Sequence, residues 1–389
     1  MILTTLNIIL LSTLLVCLII QLVYWWVVLA KPYFLQKAEK KQTTEENIIN
    51  PRPVSVIIYT QDDDAELLET NLTAMLEQDY PKYEVIVIDD NLSSESSDLL
   101  KQLRTKYRNF YFTHIPDGTR NLSRKKLGLT LGIKAAQYDN LLFTESDSRP
   151  VSNQWIKSMA SSFSDKKSIV LGFVTMAKKK GLGTKYAAFD YFFTNLQILS
   201  AALRNKSYGA NGKNMGYEKH YFNDRKGFSK FRFLESGADD LFFNEIAQKD
   251  SVAVNVSPDA LIETSWEDND YGWKRWKISR SLTKQYYDSK ELAFWRIESF
   301  SRTLFLGLVI FLIITEFFSI FVPIIAFGAY LIRLISQILV LKKTTKNLSI
   351  PSYWPLLPIF DIVQIFYDVY FYFYSMIKGK EGYTWRLGS

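Results

Sequence analysis

The sequence predicts an α/β fold: a mostly parallel, Rossmann-like sheet domain flanked by transmembrane helices. Three observations lead there. Residues 53–265 read as alternating strands and helices, with short apolar runs between segments of helical apolar spacing. Residues 2–30 carry no charge and exceed the roughly 20 residues that cross a bilayer at about 1.5 Å apiece. Further apolar runs crowd the C-terminal part of the chain, at 303–322, 324–341 and 356–377.

Taken in order, the first run reads as a membrane anchor. A signal peptide would need a basic start, a shorter apolar core and a small-x-small cleavage site, and none of these is found. Lys31 and the lysines after it place the next domain on the cytoplasmic side. "VSVIIY" (54–59) reads as a buried strand and "AELLETNLTAMLEQ" (65–78) as a helix. "EVIVID" (84–89) is a second strand, followed by a helix around 99–106. "FYFTHI" (110–115), "SRKKLGLTLGIKAA" (123–136) and "NLLFTES" (140–146) continue as strand, helix and strand. Such alternation implies a parallel sheet with helices on both faces.

The runs 303–322 and 324–341 read as a helical hairpin hinged at Pro323, with Lys342, Lys343 and Lys346 back in the cytoplasm. Glu316 and Arg333 are costly inside a membrane, so they either pair across the hairpin or each snorkels to an interface. The run 356–377 holds Asp361, Asp368 and many aromatics, and Lys378, Lys380 and Arg386 follow it. It reads as an interfacial or re-entrant helix, or as a third membrane helix. The expected organisation is thus an anchor at 1–30, a basic linker at 31–52 and a sheet domain at 53–290. A hairpin at 291–345 and an aromatic C-terminal segment at 346–389 complete it.

Composition narrows the chemistry. Of 389 residues, Lys+Arg number 47 and Asp+Glu 40, a net charge of +7. Much of the excess lies beside apolar runs, which suits an anionic membrane surface rather than nucleic acid. Cys17 is the single cysteine and His114 and His220 the two histidines, so disulfides, cysteine metal sites and histidine-rich sites are excluded. Neither a Gly-x-Gly-x-x-Gly nor a Walker loop occurs. Catalysis must rest mainly on carboxylates.

Acids fall at the carboxyl ends of three expected strands: Asp62–Asp63–Asp64, Asp89–Asp90, and Glu145/Asp147 in "TESDSRP" (144–150). A single acid there is usually a turn former or a helix cap. Three clusters along one edge, where open parallel sheets bind ligands, point to a bound molecule. With Lys125 and Lys126 nearby, they suit a nucleotide diphosphate neutralised by a divalent ion.

These segments resemble glycosyltransferase family 2, with its GT-A fold, and especially its membrane-anchored bacterial members. "RPVSVIIYTQDD" is similar to the opening strand and its Asn-Glu, here Asp62-Asp63, and "LEQDYPKYEVIVIDDNLS" to the second strand with its Asp-Asp. The resemblance implies that Asp62 and Asp90 contact the nucleotide, with Asp89 in support. It places Lys125 or Lys126, in "SRKKLGLTLGIKAA", beside that nucleotide. "LLFTESDSRP" falls where the family carries its Asp-x-Asp, so Asp147 and Glu145 would hold Mg2+ or Mn2+ on the diphosphate. "YGANGKNMGYEKHYF" (208–222) resembles the acceptor-side segment. "SGADDLFFNEIA" (236–247) resembles the stretch with the general base, which implies Asp239. Asp240, Trp276, Lys277 and Arg280 would lie on the acceptor or diphosphate side.

Three departures accompany the resemblance. Glu145 replaces the first Asp of Asp-x-Asp, and Ala238 stands where an acid is common. Trp276 and Ser279 occupy the Gln and Arg positions of the Gln-x-x-Arg-Trp of polymerising members, which speaks against a processive synthase. Trp266, Trp273 and Trp276 suit either sugar stacking or a membrane interface. The resemblance therefore implies inverting, non-processive transfer of a sugar from a nucleotide-sugar, UDP-linked in most of the family, to a lipid or glycan acceptor. The setting would be the cytoplasmic face of a bacterial inner membrane. A degenerate relative that binds a nucleotide-sugar or a partner without turnover is the alternative.

Overall fold

The computed structural model describes residues 5–42, 51–60, 64–90, 93–116, 123–266, 271–316, 320–348, 350 and 352–378. Helix α1 (Thr5–Val23) passes through a wider π-helical stretch, Tyr24–Leu29, into α2 (Lys31–Gln42). Then β1 (Val54–Thr60), α3 (Ala65–Leu76), β2 (Tyr83–Asp89), α4 (Ser94–Lys106), β3 (Phe110–His114), α5 (Arg124–Ala135) and β4 (Asn140–Glu145) alternate where the apolar spacing puts them. The next stretch is more broken: β5 (Ser148–Pro150), α6 (Trp155–Ala160), β6 (Ile169–Gly172), β7 (Val174–Met176) and α7 (Leu182–Ala202). After it come β8 (Met215–Glu218), α8 (His220–Asp224), α9 (Asp240–Ile246), β9 (Val252–Asn255), β10 (Ile262–Thr264) and α10 (Tyr271–Thr283). Three long helices follow, α11 (Ser289–Thr315), α12 (Phe321–Asn347) and α13 (Leu357–Lys378).

The main sheet has seven strands in the order β3-β2-β1-β4-β8-β6-β9. Its first four strands are parallel, β8 runs against both β4 and β6, and β9 is parallel to β6. All of β1 is buried, which is why Val and Ile make up most of it: a strand covered on both faces has no solvent side to show. The register brings Thr60 opposite Asp89 and Tyr59 opposite Glu145, so the ends of three strands meet at one edge.

Helix α5 reaches that edge because two glycines let it down onto the sheet. A Cβ on Gly132 would lie 2.7 Å from Ile88 and 2.9 Å from Ile57, and one on Gly128 would lie 2.9 Å from Ile88. Four residues apart, they form one bare face of the helix. A smaller sheet, β5-β10-β7, ties the chain just after β4 to β10 through the pair Ser148 and Thr264.

Four helical stretches are long and apolar enough to cross a membrane: Thr5–Ala38, Ser289–Thr315, Phe321–Lys346 and Trp354–Tyr374. Leu14, Cys17 and Leu18 of α1 share a core with Phe305 and Leu312 of α11 and Val322 and Ala326 of α12. Leu6, Ile9, Ile314, Ile324, Phe366 and Ile377 point outward, an apolar surface suited to lipid. The basic ends meet on one side: the Lys343 ammonium stands 5.8 Å from the Trp26 ring and 5.4 Å from that of Tyr33.

Two expectations for this bundle are corrected. The hairpin breaks between Thr315 and Phe321, not at Pro323, which is the third residue of α12. Proline is tolerated there because first-turn amides have no acceptor within the helix. Arg333 neither snorkels nor pairs with Glu316, which is half-buried at the end of α11. It is fully buried and bonds Asp361 of α13 at 2.6 Å, Gln21 at 3.1 Å and Gln337 at 3.3 Å. Helix α13 runs unbroken from Leu357 to Lys378. One face of it packs on the sheet domain, with Tyr367 stacked on Tyr186 at 5.0 Å and edge-on to Trp273 at 5.2 Å.

Removing one partner of a buried pair strands the other charge, at a cost of about 3–5 kcal/mol. Arg333→Leu should therefore lower the thermal unfolding midpoint in detergent sharply, and adding Asp361→Leu should recover much of the loss. Glu316→Gln should leave the midpoint in place; a drop matching that of Arg333→Leu would contradict the pairing.

Candidate functional site

The loop after β4 is held by its backbone, which frees its carboxylates to face the edge. The Ser146 amide donates to the Tyr59 carbonyl at 3.3 Å, and the Ser146 carbonyl accepts from the Asn71 side chain at 2.7 Å. The Ser265 amide donates to the Asp147 carbonyl at 2.7 Å, and the Ser148 hydroxyl donates to Asp147 Oδ1 at 2.7 Å.

Helix α5 supplies the partners. Ser123 caps it by accepting from the Lys126 amide at 3.2 Å, and the first turn fans three cations in different directions. Arg124 bonds Asp90, Lys125 bonds Glu145, and Lys126 turns inward. There Lys126 is fully buried and donates to the carbonyls of Phe231 at 2.8 Å, Ser236 at 2.7 Å and Leu234. Of the two lysines, then, Lys125 is at the site and Lys126 clamps a loop. Burial, against the carboxylates of Asp240 and Asp239, lowers the Lys126 ammonium to about 8.

The cation between Glu145 and Asp147 is Lys213, a residue the sequence reading did not single out. Its ammonium bonds Asp147 Oδ2, lies 3.4 Å from Glu145 Oε2 and donates to the Thr264 hydroxyl at 2.8 Å. Burial on its own raises the Glu145 carboxyl, but Lys125 and Lys213 more than reverse this and hold it at about 2. Burial likewise lowers Lys213 and Lys125, and their carboxylates override it, so both shift upward.

Asp239 enters from the start of α9. Although it precedes Asp240 at the helix start, its side chain makes no cap; it accepts the Gly212 amide at 3.1 Å. It lines a small cavity together with Tyr59, Lys125, Thr144, Glu145 and Gly212. Asp240 turns away and is buried, accepting from the Tyr287 hydroxyl at 2.6 Å and from Thr283. Burial and then Asp239 raise its carboxyl, against Arg280 and the two hydroxyls.

On α10, Lys277 bonds Asp190 at 2.6 Å, and Arg280 is buried and donates to the Ala210 carbonyl at 3.1 Å. Asp240, Lys277 and Arg280 are thus committed to internal contacts rather than open to an acceptor. Trp276 is open. It leans on Tyr191 at 4.4 Å and lines a second cavity with Asp147, Lys213, Trp266 and Trp273.

On the nucleotide side, Asp90 is fully buried, taking the Tyr59 hydroxyl on one oxygen and Arg124 on the other. Asp89 is nearly covered and accepts from Ser97 at 3.4 Å. A nucleotide that reached Asp90 would meet Arg124 first. Asp64 caps α3 through the Leu67 amide at 3.0 Å, whereas Asp62 and Asp63 lie outside the described residues.

The donor set can be tested against a divalent ion. Among the described residues no three His, Cys, Asp or Glu side chains gather as metal ligands. The pair Glu145 and Asp147 already shares the Lys213 ammonium, and Glu145 also holds Lys125. At an effective dielectric of about 20 a dication about 4 Å from an ammonium is repelled by roughly 8 kcal/mol, as much as one carboxylate at that distance attracts it, so Lys125 and Lys213 offset the pull of Glu145 and Asp147. So arranged, these residues do not fit a resident divalent ion.

The family model of glycosyl transferase family 21 matches residues 9–379 of this chain. No curated protein matches it. Among solved structures, a mannosyltransferase of Pyrobaculum calidifontis in complex with GDP-Man and Mn2+ is 15% identical, with a TM-score of 0.45 over 91% of this chain and 99% of that one. TarS of S. aureus in complex with UDP-GlcNAc is 16% identical, with a TM-score of 0.42 over 86% of this chain and 93% of that one. Likenesses this loose carry no assignment of residues or ligands.

Lys126→Met orphans three buried carbonyls and should cost about 3 kcal/mol of stability, read by thermal unfolding. Acid should act through Glu145. Because its folded value is depressed, its contribution is fully present above the ordinary 4.5 and fades as pH falls towards about 2. Glu145→Gln should accordingly flatten the loss of stability across that window; an unchanged acid limb would count against the paired carboxylate.

Proposed function

Because the chain belongs to glycosyl transferase family 21, we propose that it moves a sugar from a nucleotide-diphosphate donor to a hydroxyl of a lipid or glycan acceptor. The reaction is a single displacement with inversion, non-processive, at the cytoplasmic face of the membrane. The observation that carries this reading is the meeting of Asp239 with Lys125 and Glu145 in one cavity at the carboxyl edge of the sheet.

In this reading Asp239 takes the proton of the acceptor hydroxyl as that oxygen attacks the anomeric carbon. The bond from that carbon to the diphosphate breaks, and the diphosphate departs with the electron pair. Lys125 and Lys213 face the charge that develops on it. The Gly212 amide fixes the Asp239 carboxylate, and Trp276 and Trp266 offer flat faces to a sugar beside Asp147. GDP-Man and UDP-GlcNAc are bound by the two enzymes described above; a nucleotide-sugar donor here is part of the proposal. Mg2+ or Mn2+, expected from the resemblance, is given no step, because the two carboxylates hold ammoniums.

Commitment of Lys277 and Arg280 to Asp190 and Ala210 favours single over processive transfer. The four candidate spans and the shared basic end near Lys343 favour a membrane-bound acceptor met on the cytoplasmic side. A degenerate relative that binds without turnover is favoured by one observation, the carboxylate pair closed by Lys213.

Asp239→Asn separates these readings. It should cut transfer, measured as nucleoside diphosphate released from a panel of nucleotide-sugars with membranes as acceptor source, by about 10²–10⁴-fold. Nucleotide binding should stay near wild type. Full turnover in that variant would remove Asp239 as the base.

A further inference from the structure

We infer that Lys213, with Lys125 beside it, is the resident cation of this site: the two ammoniums held by Asp147 and Glu145 receive the donor's diphosphate, and donor binding needs no metal ion. The inference rests on the transferase reading and names the group that replaces its expected metal.

Lys213 is built into place rather than draped over a surface. Its amide donates to the Asn211 side chain at 3.2 Å, and that side chain in turn donates to the Tyr191 hydroxyl at 2.7 Å and to Asn195 at 3.0 Å. On the other side Asn214 is buried and donates to the carbonyls of Phe173 and Ala260, each at 2.7 Å. Two locked asparagines therefore flank one lysine whose side chain is only 14% exposed. Burial of that kind holds the ammonium at the single point where both carboxylates converge.

Charge and position then fit a diphosphate. Glu145 and Asp147 against Lys125 and Lys213 make a neutral set, so the two ammoniums stand charged and in place before a diphosphate arrives and meet it through their N–H groups rather than through a surplus of positive charge. Among the described residues, the Lys125 ammonium has Glu145 as its hydrogen-bond partner and keeps further N–H groups for phosphate oxygens. Lys213 lines the tryptophan cavity and Lys125 the Asp239 cavity, so together they flank the line along which diphosphate, sugar and base must lie. The departure from Asp to Glu at 145 acquires a reason here. The longer arm lets one carboxylate touch Lys125 of α5 while still reaching Lys213.

The test uses the full-length protein in detergent and two probes. The first is UDP and GDP, titrated calorimetrically with a chelator present and again with Mn2+. Affinity should be the same in both. Lys213→Met should weaken it roughly 10–100-fold, the range for a lost hydrogen bond to a charged group, while Lys213→Arg should retain most of it. The second probe is Mn2+ alone, followed by electron paramagnetic resonance. Wild type should show no Mn2+ bound at this pair; Lys213→Met should gain a site that Asp147→Asn then removes. Wild-type binding that disappears with chelator and returns with Mn2+ would overturn the inference and spare the transferase reading. Failure of every nucleoside diphosphate to bind in either condition would take down both. The chelator arm needs no variant, so a Lys213→Met protein that fails to fold leaves the test decisive.

Discussion

The site depends on one irregular segment, 208–214, and on the polar bonds that fix it. Gly209 has a φ of +82°, a left-handed turn that favours glycine, and its amide donates to the Asn244 side chain at 2.7 Å. Arg280 holds the Ala210 carbonyl, Asn211 ties the segment to α7, Gly212 holds Asp239 and Lys213 holds Asp147. Each bond is made in low exposure, where a lost partner is costly. Loosening this segment would move base and cations together. A proposed base and a leaving-group clamp must keep their spacing to act in the same displacement.

A second set of buried polar contacts joins the membrane helices to this arrangement. Arg333 pairs with Asp361, and Arg302 with Asp368 at 2.7 Å, so α11 and α12 each send one guanidinium to α13. Helix α13 presents its aromatic face to Trp273 of α10 and Tyr186 of α7. Asp190, one turn on from Tyr186, accepts from both Trp273 and Lys277. Contacts therefore run without a gap from the bundle to the helix that carries Trp276.

Much of the first half was legible because its signals are local. Continuous apolar runs marked β1, β2 and β4, and strand-terminal acids marked the edge where Glu145, Asp147 and Asp90 stand. The second half was not. Its strands are three or four residues long, too short for a periodic signal, and α7 is buried on almost every side, so it shows no polar face to set a phase. Partners were harder still. Nothing local ties Lys213 to Asp147 across 66 residues, or Arg333 to Asp361 rather than to Glu316. Asp240 read as a possible acceptor-side acid; only the fold shows it facing Tyr287 and Thr283.

A cryo-electron-microscopy structure of the full chain with a nucleotide-sugar, prepared with chelator, tests the central claim most directly. The account predicts the diphosphate on Lys125 and Lys213, with the anomeric carbon of the sugar facing Asp239. A diphosphate bound away from both lysines, or a sugar with Asp239 on neither face, would contradict it.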